Sequence, residues 1–170
     1  MRISPPMTHK ILILAACLAT IPLVAQADGG PQSLGNFGNW TAATYGSGAG
    51  KACYAFTKPE SSAPALPKRG AVLLTVTERA GSRDEVSIDA GFTYAKAANV
   101  VLTVGSNKLG FYTSGSDAFA LDGGKTVLAF QGGASAVAKS PAPGGQSVTD
   151  NFSLAGFSDA YKAIVAACPK

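Results

Sequence analysis

The chain holds a single histidine, His9, and that histidine lies within the first ten residues. Cysteine is nearly as scarce, with only Cys17, Cys53 and Cys168. Charged residues make up 14% of the sequence, Trp40 is the sole tryptophan, and the one long apolar run is Ile11–Val24. Each scarcity removes a class of protein. Beyond residue 9 there is no imidazole for a Ser-His-Asp or Cys-His catalyst, or for a histidine-based zinc site. No Cys-x-x-Cys pair exists to build a redox motif or a thiolate metal centre. Lys68-Arg69 is the only adjacent basic pair. A chain without a basic stripe or an aromatic-basic platform lacks the footprint of a nucleic-acid binder.

The apolar run has a reading of its own. Arg2, His9 and Lys10 precede it, and Ala25-Gln26-Ala27 closes it before Asp28. A basic start, an apolar core and a small-x-small end describe a signal peptide over residues 1–27, cut after Ala27. At about 14 residues, interrupted by Pro22, the run is too short to span roughly 30 Å of hydrocarbon. Leu14-Ala15-Ala16-Cys17 also matches a lipoprotein box. Its use would leave only Ile11–Ala16 as apolar core, below the usual ~7 residues. The expected mature chain is therefore a single domain over residues 28–170, periplasmic or secreted, with no transmembrane segment. Losing Arg2 and Lys10 leaves twelve basic side chains against ten acidic, a net of about +2. Cleavage also removes His9 and Cys17. In an oxidising compartment the two remaining thiols are expected to pair as a Cys53–Cys168 disulfide. The alternative is two separately buried free cysteines.

All 20 glycines follow Ala27. Short β-branched and aromatic runs between Gly- and Pro-rich turns predict a mostly β protein, an antiparallel β-sandwich. Strands are expected at residues 40–45, 51–58, 71–79, 85–90, 116–121, 134–140 and 147–154. A hairpin over 100–112 turns at Gly105-Ser106-Asn107. In 71–79, Val72, Leu74 and Val76 share one face. In 51–58, Cys53, Ala55 and Thr57 do. Residues 28–39 read as a loose lead-in. Residues 59–69, with Pro59, Pro64 and Pro67, read as a loop, because proline lacks the ladder donor. Residues 122–133 permit a short helix, but Gly123-Gly124 and β-branched Thr126 and Val127 argue against one. The C-terminus predicts a helix packed on the sheet. Ser158 serves as its N-cap, Asp159 lies in the first turn, Tyr161, Ile164, Val165 and Cys168 follow at helical spacing, and Pro169 is the stop.

Chemistry by carboxylates alone stays open. The candidates are Glu60, Glu78, Asp84, Glu85, Asp89, Asp117, Asp122, Asp150 and Asp159, two of which could form a glycosidase pair. Most fall at turns or strand ends, where solvated carboxylates are ordinary. Gly123-Gly124-Lys125-Thr126 fails as a phosphate loop because Phe119 stands where glycine is needed. Gly50-Lys51 fails because Tyr45 and Ala52 occupy the required positions. Asn39-Trp40-Thr41 and Asn151-Phe152-Ser153 match the N-glycosylation pattern. No catalytic residue, metal ligand or cofactor site is assigned.

One segment is distinctive: Thr149-Asp150-Asn151-Phe152-Ser153-Leu154-Ala155-Gly156-Phe157-Ser158-Asp159-Ala160, closed by Ala167-Cys168-Pro169. It resembles the C-terminal pattern of the invasion-associated locus B family of exported bacterial proteins. Phe37-Gly38-Asn39-Trp40, Lys51-Ala52-Cys53-Tyr54, Glu85-Val86-Ser87 and Gly91-Phe92-Thr93-Tyr94 match in the same order. The resemblance singles out Trp40, Asp150, Phe152, Ser153, Leu154, Gly156 and Phe157. It implies an exported envelope or secreted protein without enzymatic activity, acting through binding. An unidentified protein or cell-surface partner would serve host-cell interaction or an envelope function. The alternatives are a periplasmic carboxylate-only hydrolase and a structural or stress-responsive envelope component. The chain departs from the family at Lys139-Ser140-Pro141-Ala142-Pro143-Gly144-Gly145-Gln146, where relatives often carry a more basic turn.

Overall fold

The structure, a computed structural model, describes Met1 and residues 30–170. The expected signal peptide, with His9 and Cys17, lies outside the described residues. Eleven strands form: β1 (Gln32–Phe37), β2 (Trp40–Tyr45), β3 (Ala52–Thr57), β4 (Ser61–Ala63), β5 (Leu73–Arg79), β6 (Ser82–Asp89), β7 (Asn99–Val104), β8 (Asn107–Ser114), β9 (Asp117–Ala120), β10 (Ser135–Pro141) and β11 (Ser147–Ser153). Helix α1 (Gly123–Gly132) precedes β10, and α2 (Phe157–Ala167) follows β11. The expected antiparallel β domain with a C-terminal helix packed on it is what forms. Its strands make one continuous sheet, in the order β1-β2-β3-β5-β6-β9-β8-β7-β10-β11-β4, rather than two hydrogen-bonded sheets.

Alternation along each strand decides which side chains face inward. Cys53, Ala55 and Thr57 of β3 are buried, as are Leu74 and Val76 of β5 and Val148 and Phe152 of β11. The sheet curls until its two ends meet. Trp40, at the start of β2, donates from Nε1 to the Ser153 carbonyl of β11 over 3.1 Å. The Asn39 N–H donates to the Ala155 carbonyl over 3.0 Å. Helix α2 covers β1, β2, β3 and β5. No helix among the described residues is long and apolar enough to cross a membrane.

Four local expectations change. The loose lead-in becomes β1, because β2 offers it a ladder and Gly38, at φ 56°, supplies the first position of a two-residue hairpin turn. Within the proline-rich loop, Ser61–Ala63 keep their backbone donors and pair with β11 as β4. The ambiguous segment 122–133 becomes α1, because Asp122 caps it by accepting from the Lys125 N–H at 2.9 Å. Burial of Val127 and Phe130 offsets the weak propensity of its glycines. Gly123 is there for close approach, since a Cβ would stand 1.8 Å from the Asp84 carbonyl oxygen. Finally, Ser158 is not the cap of α2. Gly156, at φ 89°, holds that position, and the helix begins at Phe157, with Asp159 in its first turn.

Candidate functional site

All but Asp150 of the residues singled out by the resemblance converge on one corner, where β11 turns into α2 beneath the β1–β2 hairpin. Trp40 is fully buried, with its ring 4.9 Å from Phe157 and 6.3 Å from Phe130. Phe130 and Phe157 meet edge to face at 5.2 Å, a geometry that the ring quadrupoles favour. Phe152 and Leu154 are buried alongside, and Ser153 Oγ accepts from the Ala155 N–H to shape the turn. Gly156 allows the corner to close, because a Cβ there would lie 1.9 Å from the Phe37 carbonyl oxygen. This motif joins the two ends of the sheet through a cluster of buried rings.

Asp150 takes a different part. It faces inward between Val148 and Phe152 and is fully buried. Arg69, from the loop after β4, reaches it with two parallel bonds, Nη1 to Oδ1 at 2.8 Å and Nη2 to Oδ2 at 2.7 Å. Ser62 Oγ donates to Oδ1 at 2.6 Å. Arg69 Nε donates to the Ala90 carbonyl at 2.8 Å, and its guanidinium lies 5.3 Å from the centre of the Phe92 ring. A planar guanidinium held by a carboxylate, a carbonyl and an aromatic face has each of its three nitrogens in a hydrogen bond. Next to it, the buried Tyr94 hydroxyl shares a hydrogen bond with Ser140, and burial raises the phenol's pKa.

The second buried carboxylate is Glu78, which continues the inward face of Leu74 and Val76. Its Oε1 accepts from the Asp84 N–H at 3.1 Å. Its Oε2 lies 2.5 Å from Arg83 Nε, as an ion contact without hydrogen-bond geometry. Tyr161 of α2 donates to Asp84 Oδ1 at 2.5 Å. Arg83 Nη1 and Lys51 Nζ donate to the carbonyls of Cys168 and Ala167, placing two cations at the negative end of α2. Burial, followed by the hydrogen bond with Asp84, pushes the Glu78 pKa up to about 7, outweighing the attraction of Arg83. Burial and Asp84 also raise the Tyr161 pKa. The expected disulfide, Cys53–Cys168, lies at this end of α2.

A raised carboxyl pKa means that folding favours the protonated form. The stabilising contribution of Glu78 is complete below its unfolded pKa of 4.5 and is lost as pH rises through about 7. Between about pH 4.5 and 7 this group alone should lower stability by up to about 1.4 kcal/mol per pH unit, and above about pH 7 it adds no further slope. Glu78→Gln should flatten the stability curve between about pH 4.5 and 7, as read by urea melts. An unchanged slope in the variant would exclude the assignment.

The reading of the carboxylates as solvated turn formers therefore fails for Glu78 and Asp150. Both extend an alternation visible in the sequence, Leu74-x-Val76-x-Glu78 and Val148-x-Asp150-x-Phe152, and that alternation was the signal to find them. Other candidates behave as expected: Asp122 caps α1, Asp159 pairs with Lys162, and Glu85 pairs with Arg79 on the surface. Asp89 and Asp117 face each other across β6 and β9, where burial and then the Asp89 charge raise the Asp117 pKa. Surface grooves that hold carboxylates hold them singly: Glu60 in one of about 440 Å³ and Asp122 in one of about 120 Å³. The pair geometry of a two-carboxylate glycosidase is not assembled in either groove. Among the described residues no cluster of His, Cys, Asp or Glu could hold a metal ion.

No curated protein matches the chain. In fold, it is similar to the crystal structure of invasion associated protein B from Bartonella henselae. The TM-score is 0.54 and the identity 20%, over 78% of this chain and 96% of that one. The model of the Invasion associated locus B (IalB) protein family matches residues 40–165, from Trp40 through most of α2, and takes in every motif residue of the corner. The chain belongs to the invasion associated locus B family.

Proposed function

We propose that this protein is exported and acts through binding rather than catalysis, at the bacterial envelope or on a cell-surface partner. The observation that carries the reading is where its reactive charge lies. Both buried carboxylates are closed over by arginine partners, and each is used to join elements of the fold. Catalytic carboxylates are instead placed in a cleft, against substrate. The apolar run Ile11–Val24 before Ala25-Gln26-Ala27, and a disulfide that needs an oxidising compartment, support export.

Two measurements test the proposal. N-terminal sequencing of the protein from its cells should find Asp28 first; a lipid-modified Cys17 would make it a lipoprotein instead. Cross-linking in intact cells should join the native protein to a saturable partner, and that link should be lost when the disulfide is reduced. Turnover of a glycoside, ester or peptide, abolished by Asp89→Asn or Asp117→Asn, would replace the binding reading with the hydrolase.

A further inference from the structure

A groove of about 530 Å³ lies on the outer face of β7, β8 and β10. Its rim carries Lys108 from β8 and Lys139 from β10; Thr103 and the exposed Val101 of β7 stand between them, and Asn99 and Gln146 line the same groove. None of its lining residues is acidic. Among the described residues neither lysine has an ion-pair partner: the four pairs are Arg69–Asp150, Arg79–Glu85, Arg83–Glu78 and Lys162–Asp159. A second groove of about 290 Å³ shares Gln146 and adds Lys68, again with no carboxylate in its lining. The carboxylates gather elsewhere, on β6, on β9 and around the two helices.

The ladder fixes the spacing of the two cations. Lys108 sits opposite Thr103 and Lys139 opposite Val101, on either side of β7. Two strand spacings across and two residues along put their Cα atoms roughly 12 Å apart. Gly110, opposite Val101, adds no side chain to the face between them. At the near end Tyr112, opposite Asn99, is half exposed and stacks on Phe119 at 5.6 Å.

We infer that this face is a binding site for an acidic polysaccharide, whose carboxylate or phosphate groups meet Lys108 and Lys139. Three features select that occupant. Unpaired cations over a lining free of carboxylates complement negative charge. Amides and hydroxyls lining the same groove match sugar hydroxyls, and a half-exposed tyrosine offers an apolar ring face with a polar tip. An extended acidic peptide would gain little, because β7 is hydrogen-bonded on both sides and offers no edge for strand addition. The inference rests on the binding reading above and names the chemistry of one surface.

The test uses the purified protein with polygalacturonate, neutral dextran, poly-glutamate and phosphatidylglycerol vesicles, followed by calorimetry. Polygalacturonate should bind and dextran should not. Lys108→Glu with Lys139→Glu should weaken polygalacturonate at least tenfold, while Lys162→Glu, on the exposed side of α2, should change it less than twofold. Tyr112→Ala should weaken it severalfold. Melting curves of the variants, all at exposed positions, establish that they fold. Absence of polygalacturonate binding, equal loss in Lys162→Glu, or tighter binding to poly-glutamate or to the vesicles would overturn the inference. Retention of a cross-linked partner by the double variant would then leave binding intact and move it to another surface.

Discussion

Cys168→Ser, or Cys53→Ser, should lower the stability of the domain by about 4–5 kcal/mol and release α2 before any strand. The disulfide joins positions 115 residues apart. In the chain-entropy view, a cross-link that closes a loop of about 100 residues removes about that much freedom from the unfolded state. The rest of the clamp on the end of α2 is weaker. Lys51 and Arg83 each hold one terminal carbonyl, and Tyr161 reaches Asp84. Without the bond, α2 should open while Val76, Ile88 and Leu102 keep the sheet closed. Urea melts give the loss, and hydrogen exchange gives its place. Equal stability of variant and parent would reject the prediction, as would two reactive thiols in the denatured, unreduced parent.

Asp150→Ala should cost about 3–5 kcal/mol, because it strands a guanidinium that is nearly as buried as its partner. Asp150→Asn should cost less, since the amide oxygen can still accept from Arg69. Replacing both members together, Arg69→Met with Asp150→Leu, should recover most of the loss, because desolvation of the pair opposes its own attraction. The loop Pro64–Gly70 should become labile in each single variant, since Arg69 is what fastens it to β11 and to Ala90. A cost below about 1 kcal/mol for Asp150→Ala would mean that water reaches Arg69 and that the pair behaves as a surface one.

Period-two alternation made most of the sheet legible in advance. Residues 71–79 and 51–58 present the faces that their sequences announce, and the 100–112 hairpin turns where Gly105 stands. Long-range pairing was not legible. Gln32–Phe37 is polar and glycine-containing and becomes a strand only because β2 lies beside it. Ser61–Ala63, between prolines, is recruited by β11 from the far side of the chain. Helix α1 depends on Phe130 finding Trp40, a contact across 90 residues that no local propensity encodes. The site followed the same division. Glu78 and Asp150 could be placed inside by extending an alternation, but Arg69 comes from a proline-rich loop and Arg83 from the start of β6, just past the Ala80-Gly81 turn. Ser158 was a sound cap by residue type, yet the corner needed a left-handed residue against Phe37, and Gly156 took the position.

The corner where Trp40 meets Ser153 and Phe157 also governs when the protein can fold. Helix α2 covers β1, β2 and β3, with Phe130 of α1 reaching Trp40 beside it, and α2 follows every strand in the chain. Contacts between the first and last elements give a high contact order, which makes folding slow and leaves little native structure in a partial chain. A polypeptide emerging from the ribosome would therefore stay open until α2 has been made. On the proposed export reading, that is the state in which a secretory pathway threads a chain through a membrane, and the oxidant that would join Cys53 to Cys168 lies on the far side.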